Sequence, residues 1–346
     1  MKNTLLYVSL FLMGCTDAAA PAADPQAGNV QTSSRPVKRI EIINSEALTL
    51  LDSSAAIETI AGGFNWTEGP LPLNDSTILF SDIPNNRVCI WKEGDSVRVF
   101  LEPSGYTGTA GTVKGEKEPG SNGLLLSPQG ELVLLQHGDR RIAKMKAPLK
   151  QPAAVFSPLV DRFEGKRLNS PNDGVYHPNG DLYFTDPPYG LDKRIDDRAK
   201  ELDFQGVYRL KPNGQLDLLT KELKFPNGIT LSPDGRYLYV ASSDAGNMVW
   251  MQYTLDEKGL IKSKRVFYAA HEYEGKEKGA PDGMKMNKKG YLFAAGPEGL
   301  WIFNPAGTLI ARIYTGQLTS NCAFSPDQQT LYLTCDDYIM RVRLKP

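Results

Sequence analysis

The sequence predicts an all-β fold, a six-bladed β-propeller, on three observations. One pattern (a polar residue, an apolar run, a turn, a second apolar run) occurs six times. Its copies recur at roughly the length of a four-stranded blade. Glycine (32) and proline (24) fall mostly at the turns, which favours many short strands over long helices. A two-sheet sandwich would also be rich in strands, but it gives no reason for six equivalent polar starts.

Taken in order, the copies read "EGPLPLNDSTILFSD" from Glu68, "NGLLLSPQGELVLLQ" from Asn122 and "NDGVYHPNGDLYFTD" from Asn172. "NGITLSPDGRYLYVA" from Asn227, "DGMKMNKKGYLFAAG" from Asp282 and "NCAFSPDQQTLYLTC" from Asn321 follow. Successive openings are 54, 50, 55, 55 and 39 residues apart by subtraction of those positions. Eight places after each opening stand Ser76, Gly130, Gly180, Gly235, Gly290 and Gln329, so four of the six are the glycine a positive-φ hairpin turn requires. The remaining strands fit the gaps. Blade one continues with "RVCIW" and "SVRVFL", blade three with "GVYRL" and "QLDLLT", blade four with "MVWMQYTL" and "RVFYAA", and blade five with "LWIF" and "LIARIY". The last blade supplies three strands, ending in "IMRVRL", and "AIETIAGG" ahead of Glu68 is expected to close the ring as its fourth.

The 346 residues carry a formal net charge of −1, so no field of one sign points to nucleic acid or acidic lipid. Lys2, the apolar "LLYVSLFLM" and "LMGC" ending at Cys15 resemble a bacterial lipoprotein leader, with Cys15 as the lipidated residue. The apolar run is too short to span a bilayer comfortably. Residues 1–15 are thus expected to be a signal peptide, 16–38 a disordered Ala/Pro/Ser/Gln-rich tether, and 39–346 the propeller. The expected address is the cell envelope, lipid-anchored or periplasmic, and the expected state a monomer. Cys322 and Cys335 sit in adjacent strand-like runs, where a bridge or burial as free thiols are both open. No CxxC occurs and only three His are present, so a zinc site has little to draw on.

The first strand of a blade lines the central channel, so six equivalent polar starts form a ring. Here the ring is Glu68, Asn122, Asn172, Asn227, Asp282 and Asn321, all oxygen-bearing. Hard oxygens converging on an axis suit Ca²⁺, with Mg²⁺ or Mn²⁺ as tighter-fitting alternatives and Zn²⁺ as an in vitro substitute. One such Asn would more simply cap a strand entry through local backbone. Six in register, with two acids among them, reverse that balance.

"EGP" at 68–70, "SPNDG" at 170–174, "FTDPPYGL" at 184–191, "PNG" at 226–228 and "PDGMK" at 281–285 resemble the gluconolactonase branch of a larger family. That family includes regucalcin (the senescence marker protein) and luciferin-regenerating enzyme. "QHGDRRI" at 136–142 and "SNCAFSPDQQTLYLT" at 320–334 extend the likeness, which runs from about Phe64 to Leu344. The resemblance implies a six-bladed propeller with one divalent cation, usually calcium, held by Glu68, Asn172, Asn227 and Asp282. Asp173 matches the second member of the family's Asn-Asp pair. Ser170 stands where regucalcin has a sugar-contacting Arg, so that contact is unmatched, and His137, Arg140 or Arg141 are the substitutes considered. Asp186 and Tyr189 are expected in a loop near the mouth, with Asn122 and Asn321 facing substrate.

Opening a sugar lactone needs a polarised carbonyl, an activated water and a stabilised oxyanion. Asp282 is the first candidate for the base, which the resemblance also implies, and His137 is the second. A serine-esterase reading lacks its GxSxG elbow, and "HEYEGK" at 271–276 lacks the second His of a zinc protease. The Gly-rich segment 105–121 reads as a long mobile insertion, and 192–203 as a solvated loop or short helix over blade three. Two other functions stay open: a promiscuous phosphotriesterase, and a ligand-binding propeller with structural calcium.

Overall fold

The structure, a computed structural model, describes residues 37–109, 111–112 and 114–346. The leader, Cys15 and most of the tether lie outside the described residues. Six main antiparallel sheets follow one another along the chain, each built from the inside strand outward. Their inner strands are Thr67–Asn74, Ser121–Leu126, Gly174–Tyr176, Pro226–Leu231, Met284–Met286 and Thr319–Phe324. Each neighbours the next in cyclic order, and the sixth meets the first. Among the described residues, the helical segments are three short 3-10 turns, at Ser45–Thr49, Arg194–Asp196 and His271–Tyr273.

Apolar packing between blades explains which strands read as continuous hydrophobic runs. Each of six buried clusters spans one blade interface: Leu79 with Leu134, Leu135 with Phe184, Val207 with Val240, Trp250 with Trp301, Phe293 with Leu333, and Tyr332 with Phe80. A second strand therefore packs on both faces, and every residue of Thr77–Asp82, Leu132–Gln136, Leu182–Asp186, Leu292–Gly296 and Thr330–Cys335 is buried. Outer strands cover one face only, so Arg98–Leu101 and Ile261–Ala269 are largely exposed or half-buried.

Polar bonds close the same circle nearer the axis. Ser81 Oγ donates to Asn122 O (2.9 Å), Gly123 N to Asn172 O (2.8 Å) and Thr185 Oγ1 to Asn227 O (2.8 Å). Ser243 Oγ donates to Pro281 O (2.6 Å), Gly283 N to Ser320 O (2.7 Å) and Ser320 Oγ to Thr67 O (2.7 Å). Inner strands this close leave no room for side chains between them. A Cβ at Gly228 would stand 2.2 Å from Asp282 O, and one at Gly69 2.2 Å from Asn122 O.

The strand Ile57–Gly62 pairs antiparallel with Tyr338–Arg343 and forms the outer strand of the sixth sheet. A further strand, Arg39–Ile42, adds to the outer edge of the fifth sheet against Leu309–Tyr314, which the sequence reading did not anticipate. The glycines at 130, 180, 235 and 290 all have positive φ. In the sixth copy Gln328, not Gln329, takes that conformation (φ 60°), because the run from Asn321 to the turn is one residue shorter. Ser76 needs no such turn: the Asn74 side chain accepts from its N–H (3.0 Å) instead.

One expectation is corrected. The 105–121 segment, between blades one and two, is anchored along its described length. Asn86 Oδ1 accepts from Gly105 N (2.8 Å), Asp139 Oδ1 from Thr107 N (3.0 Å) and Asp192 Oδ1 from Glu116 N (2.8 Å). Of the two states left open for Cys322 and Cys335, burial as free thiols is the one found, and Cys89 is likewise free and buried.

Gly228→Ala is expected to lower stability by about 1–3 kcal/mol, since its methyl meets backbone that cannot yield. Gly246→Ala, with nothing within 4 Å of its added Cβ, should stay within about 0.5 kcal/mol. Denaturant unfolding of the two variants checks the contrast.

Candidate active site at the channel mouth

The inner strands break their pairing where the polar ring begins. Register slips between Glu68 and Leu71, between Ser121 and Leu124, and between Pro226 and Ile229. Such bulges re-aim a side chain, here Glu68, Asn122 and Asn227. In blades three and five, pairing with the second strand starts only at Gly174 and Met284, leaving Asn172 and Asp282 just ahead of the ladder. Each bulge is tolerable because the freed carbonyls find the neighbouring blade described above.

Five of the six predicted ring residues, Glu68, Asn122, Asn172, Asn227 and Asp282, line one cavity of about 150 Å³ that opens to solvent. The sixth, Asn321, faces inward: its Nδ2 donates to Glu68 Oε2 (3.2 Å) and to Asp173 Oδ2 (3.4 Å). Asn321 thus holds Glu68 rather than facing substrate. Asp173 also lies off the cavity wall, with Lys285 Nζ 3.4 Å from its Oδ2.

Neighbours fix the orientation of the ring amides and acids. Ser243 Oγ accepts from Asn227 Nδ2 (2.9 Å), which leaves Asn227 Oδ1 for the cavity. Glu68 Oε2 accepts from Gly69 N (3.0 Å). Asn122 Oδ1 and Asp282 Oδ1 are buried with no hydrogen-bond partner, an arrangement uncommon in folded proteins unless a ligand completes it. Burial, and then the Asp173 carboxylate, pushes Glu68 up to about 8 against the opposing Gly69 bond. Burial, followed by the Glu68 and Asp173 charges, raises Asp282 well above the usual carboxylate range.

Crowded carboxylates and orphaned oxygens, with amide oxygens between them, fit a hard divalent cation. Among the described residues no three His, Cys, Asp or Glu side chains gather as a metal cluster, so the fit depends on the asparagines.

Four predicted substrate contacts stand elsewhere. Arg140, at positive φ (55°), spends its guanidinium on backbone: Nε donates to Leu168 O (2.8 Å) and Nη1 to Ala199 O (2.6 Å). Arg141 is bound to Asp139 (2.8 Å) and Gln136 (2.6 Å). Asp186 is fully buried and accepts from Asn169 N (2.7 Å) and Ser170 N (2.8 Å), holding the chain that enters blade three. Asp82 does the same in blade one, accepting from Asn65 N (3.1 Å), so this Asp belongs to the repeat. His137 is also fully buried and does not reach the cavity; its Nδ1 lies 3.1 Å from Glu118 Oε2.

Tyr189 does line the cavity, stacked on Phe225 at 5.8 Å, with the Arg194 guanidinium 5.5 Å from its ring centroid. Gly190 lets that loop close, since a Cβ there would stand 2.6 Å from His137 Cβ and 2.8 Å from Ser170 Cβ. Trp66, Glu118, Arg194, Ser243 and Ala280 complete the wall and were not anticipated. Trp66 sits two residues before the ring acid, a legible position; Glu118 and Arg194 stand on loops with no repeat to mark them.

The SMP-30/Gluconolactonase/LRE-like region profile matches residues 66–336. Over 351 aligned residues the chain is 38% identical to a gluconolactonase of Zymomonas mobilis, covering 99% of this chain and 96% of that one. It resembles a solved gluconolactonase of Xanthomonas campestris at a TM-score of 0.75 and 28% identity, over 89% of this chain and 96% of the other. A calcium-binding regucalcin of Agrobacterium tumefaciens shares the fold, at a TM-score of 0.63 and 19% identity, over 84% and 95% of the two chains. The match spans all six sheets and the cavity between them: this chain belongs to the SMP-30/Gluconolactonase/LRE-like family.

Proposed function

We propose that the protein is a metal-dependent lactone hydrolase that opens a sugar lactone, such as gluconolactone, to its hydroxy acid. The observation that carries this reading is the convergence of Glu68, Asn122, Asn172, Asn227 and Asp282 on one cavity, with two of their oxygens unpartnered. The similarity to gluconolactonases along nearly the whole chain supports the same reaction.

Glu68, Asn172, Asn227 and Asp282 would hold the cation, and Ca²⁺ is the ion their oxygens suit. When bound, it supplies Lewis-acid polarisation and neutralises developing charge. The protein supplies the rest. Asp282 accepts a proton from water through its unpartnered Oδ1 as the water oxygen bonds to the carbonyl carbon. The ring C–O bond then breaks, and the same proton passes to the departing ring oxygen. Asn122 Oδ1 and the walls of Trp66 and Tyr189 orient the lactone. Ser243 and Asn321 keep Asn227 and Glu68 aimed throughout.

Purified protein is expected to hydrolyse δ-gluconolactone, to lose that activity in EDTA, and to regain it on adding Ca²⁺. Metal-independent turnover, or none across an aldonolactone panel, would rule the mechanism out. Asp282→Asn is expected to lower kcat by about 10²–10⁴-fold, the usual worth of a general base. Calcium titration of that variant separates the roles: retained affinity with lost turnover assigns the base, whereas loss of both leaves ligation alone.

A further inference from the structure

The cavity has one acid outside the ring, and its environment is specific. Glu118 comes from the anchored loop between blades one and two, and its side chain keeps 26% exposure. Its Oε2 is 3.1 Å from His137 Nδ1, at ion-pair rather than straight hydrogen-bond geometry. Among the described residues His137 is the only partner of that carboxylate, so Oε1 is uncommitted. His137 is wholly buried, and neither ring nitrogen makes any other hydrogen bond. A buried imidazole without partners is costly, so the Glu118 contact is the one that justifies its position.

The surrounding backbone leaves this pair little freedom. His137 N donates to Gly120 O (3.1 Å), two residues after Glu118. A Cβ at Gly138 would collide with Pro119 O at 2.5 Å, and Gly190 closes over the imidazole from the opposite side. Glu118 is therefore a carboxylate on a fixed mount, facing a cavity whose only lining cation among the described residues is Arg194. An ionised carboxylate is a strong acceptor for hydroxyl donors, and Arg194 offers donors at the same mouth.

We propose that Glu118 is a specificity-determining residue whose free carboxylate oxygen accepts hydrogen bonds from the ring hydroxyls of a polyhydroxylated lactone. His137 is its positioning residue. This rests on the lactonase reading, and it names the contact that separates sugar lactones from plain cyclic esters of the same ring size.

The test compares kcat/KM for δ-gluconolactone and δ-valerolactone in calcium-loaded full-length protein. Glu118→Ala should lower the ratio of the two by about ten- to a hundredfold, as loss of a hydrogen bond to a charged group predicts, chiefly through KM for gluconolactone. Glu118→Gln, which keeps an acceptor, should fall between. His137→Ala should shift the ratio the same way, and His137→Asn, with a donor near the Nδ1 position, should restore part of it. An unchanged ratio in Glu118→Ala, or equal loss on both lactones in a normally folded variant, overturns the proposal. Turnover of neither lactone by the wild type would instead fail the lactonase reading. Calorimetry with 1,5-anhydro-D-glucitol, the same hydroxylated ring without a carbonyl, then decides independently. Weaker binding by Glu118→Ala supports the assignment, and binding that is unaltered, or absent in the wild type, refutes it.

Discussion

Six backbones crowd around one narrow axis, and the rest of the architecture answers to that crowding. A carbonyl at a bulge cannot bond within its own sheet, so it must find a donor next door or remain unsatisfied. The girdle from Ser81 through Ser320 provides those donors, four of them side-chain hydroxyls and two backbone amides. The same closeness excludes a Cβ at Gly69, Gly123, Gly228 and Gly283. Polar residue then glycine is thus one device: the glycine lets strands approach, and the residue before it is turned toward the axis.

Turning side chains inward also forces charge together. The Asp173 charge raises the proton affinity of Glu68, and the Glu68 and Asp173 charges raise that of Asp282, beyond what burial alone does. Lys285, 3.4 Å from Asp173, is a fixed countercharge on the inner side, and Asn321 bridges Asp173 to Glu68. The cavity side carries the Glu68 and Asp282 carboxylates with the amide oxygens of Asn122, Asn172 and Asn227 between them. A divalent cation would be attracted there without displacing the lysine, which gives the ring a polarity along the channel.

Much of this was legible in the sequence because symmetry is legible. Six copies at similar spacing identified the blades, and their shared polar start located Glu68, Asn122, Asn172, Asn227 and Asp282. The same symmetry, followed further, would have reclassified Asp186. It ends a second strand just as Asp82 does, and both catch the amide of an entering chain. Arg140 misled for a different reason. It was considered as a substitute for the sugar contact that Ser170 does not match, but its guanidinium lies, at a residue of positive φ, on the carbonyls of Leu168 and Ala199. Glu118 and Arg194 had no counterpart in other blades, and a loop's reach is set by tertiary anchors that spacing does not encode.

The division between repeat and loop is also a division of labour. Residues fixed by the repeat meet their neighbours in every blade, so changing one disturbs the ring that the fold itself needs. Residues on the two long loops answer to local anchors: Asn86, Asp139 and Asp192 for the first, and Ser170 for the second through Gly190 N (2.9 Å) and Pro187 O (2.6 Å). Ser170 is informative here. Its hydroxyl fastens the loop that presents Tyr189 and Arg194, at a position where the sequence resemblance had pointed to a sugar-binding arginine. A donor can therefore reach the mouth from the loop instead of the strand, and the ring needs no alteration for the specificity to change.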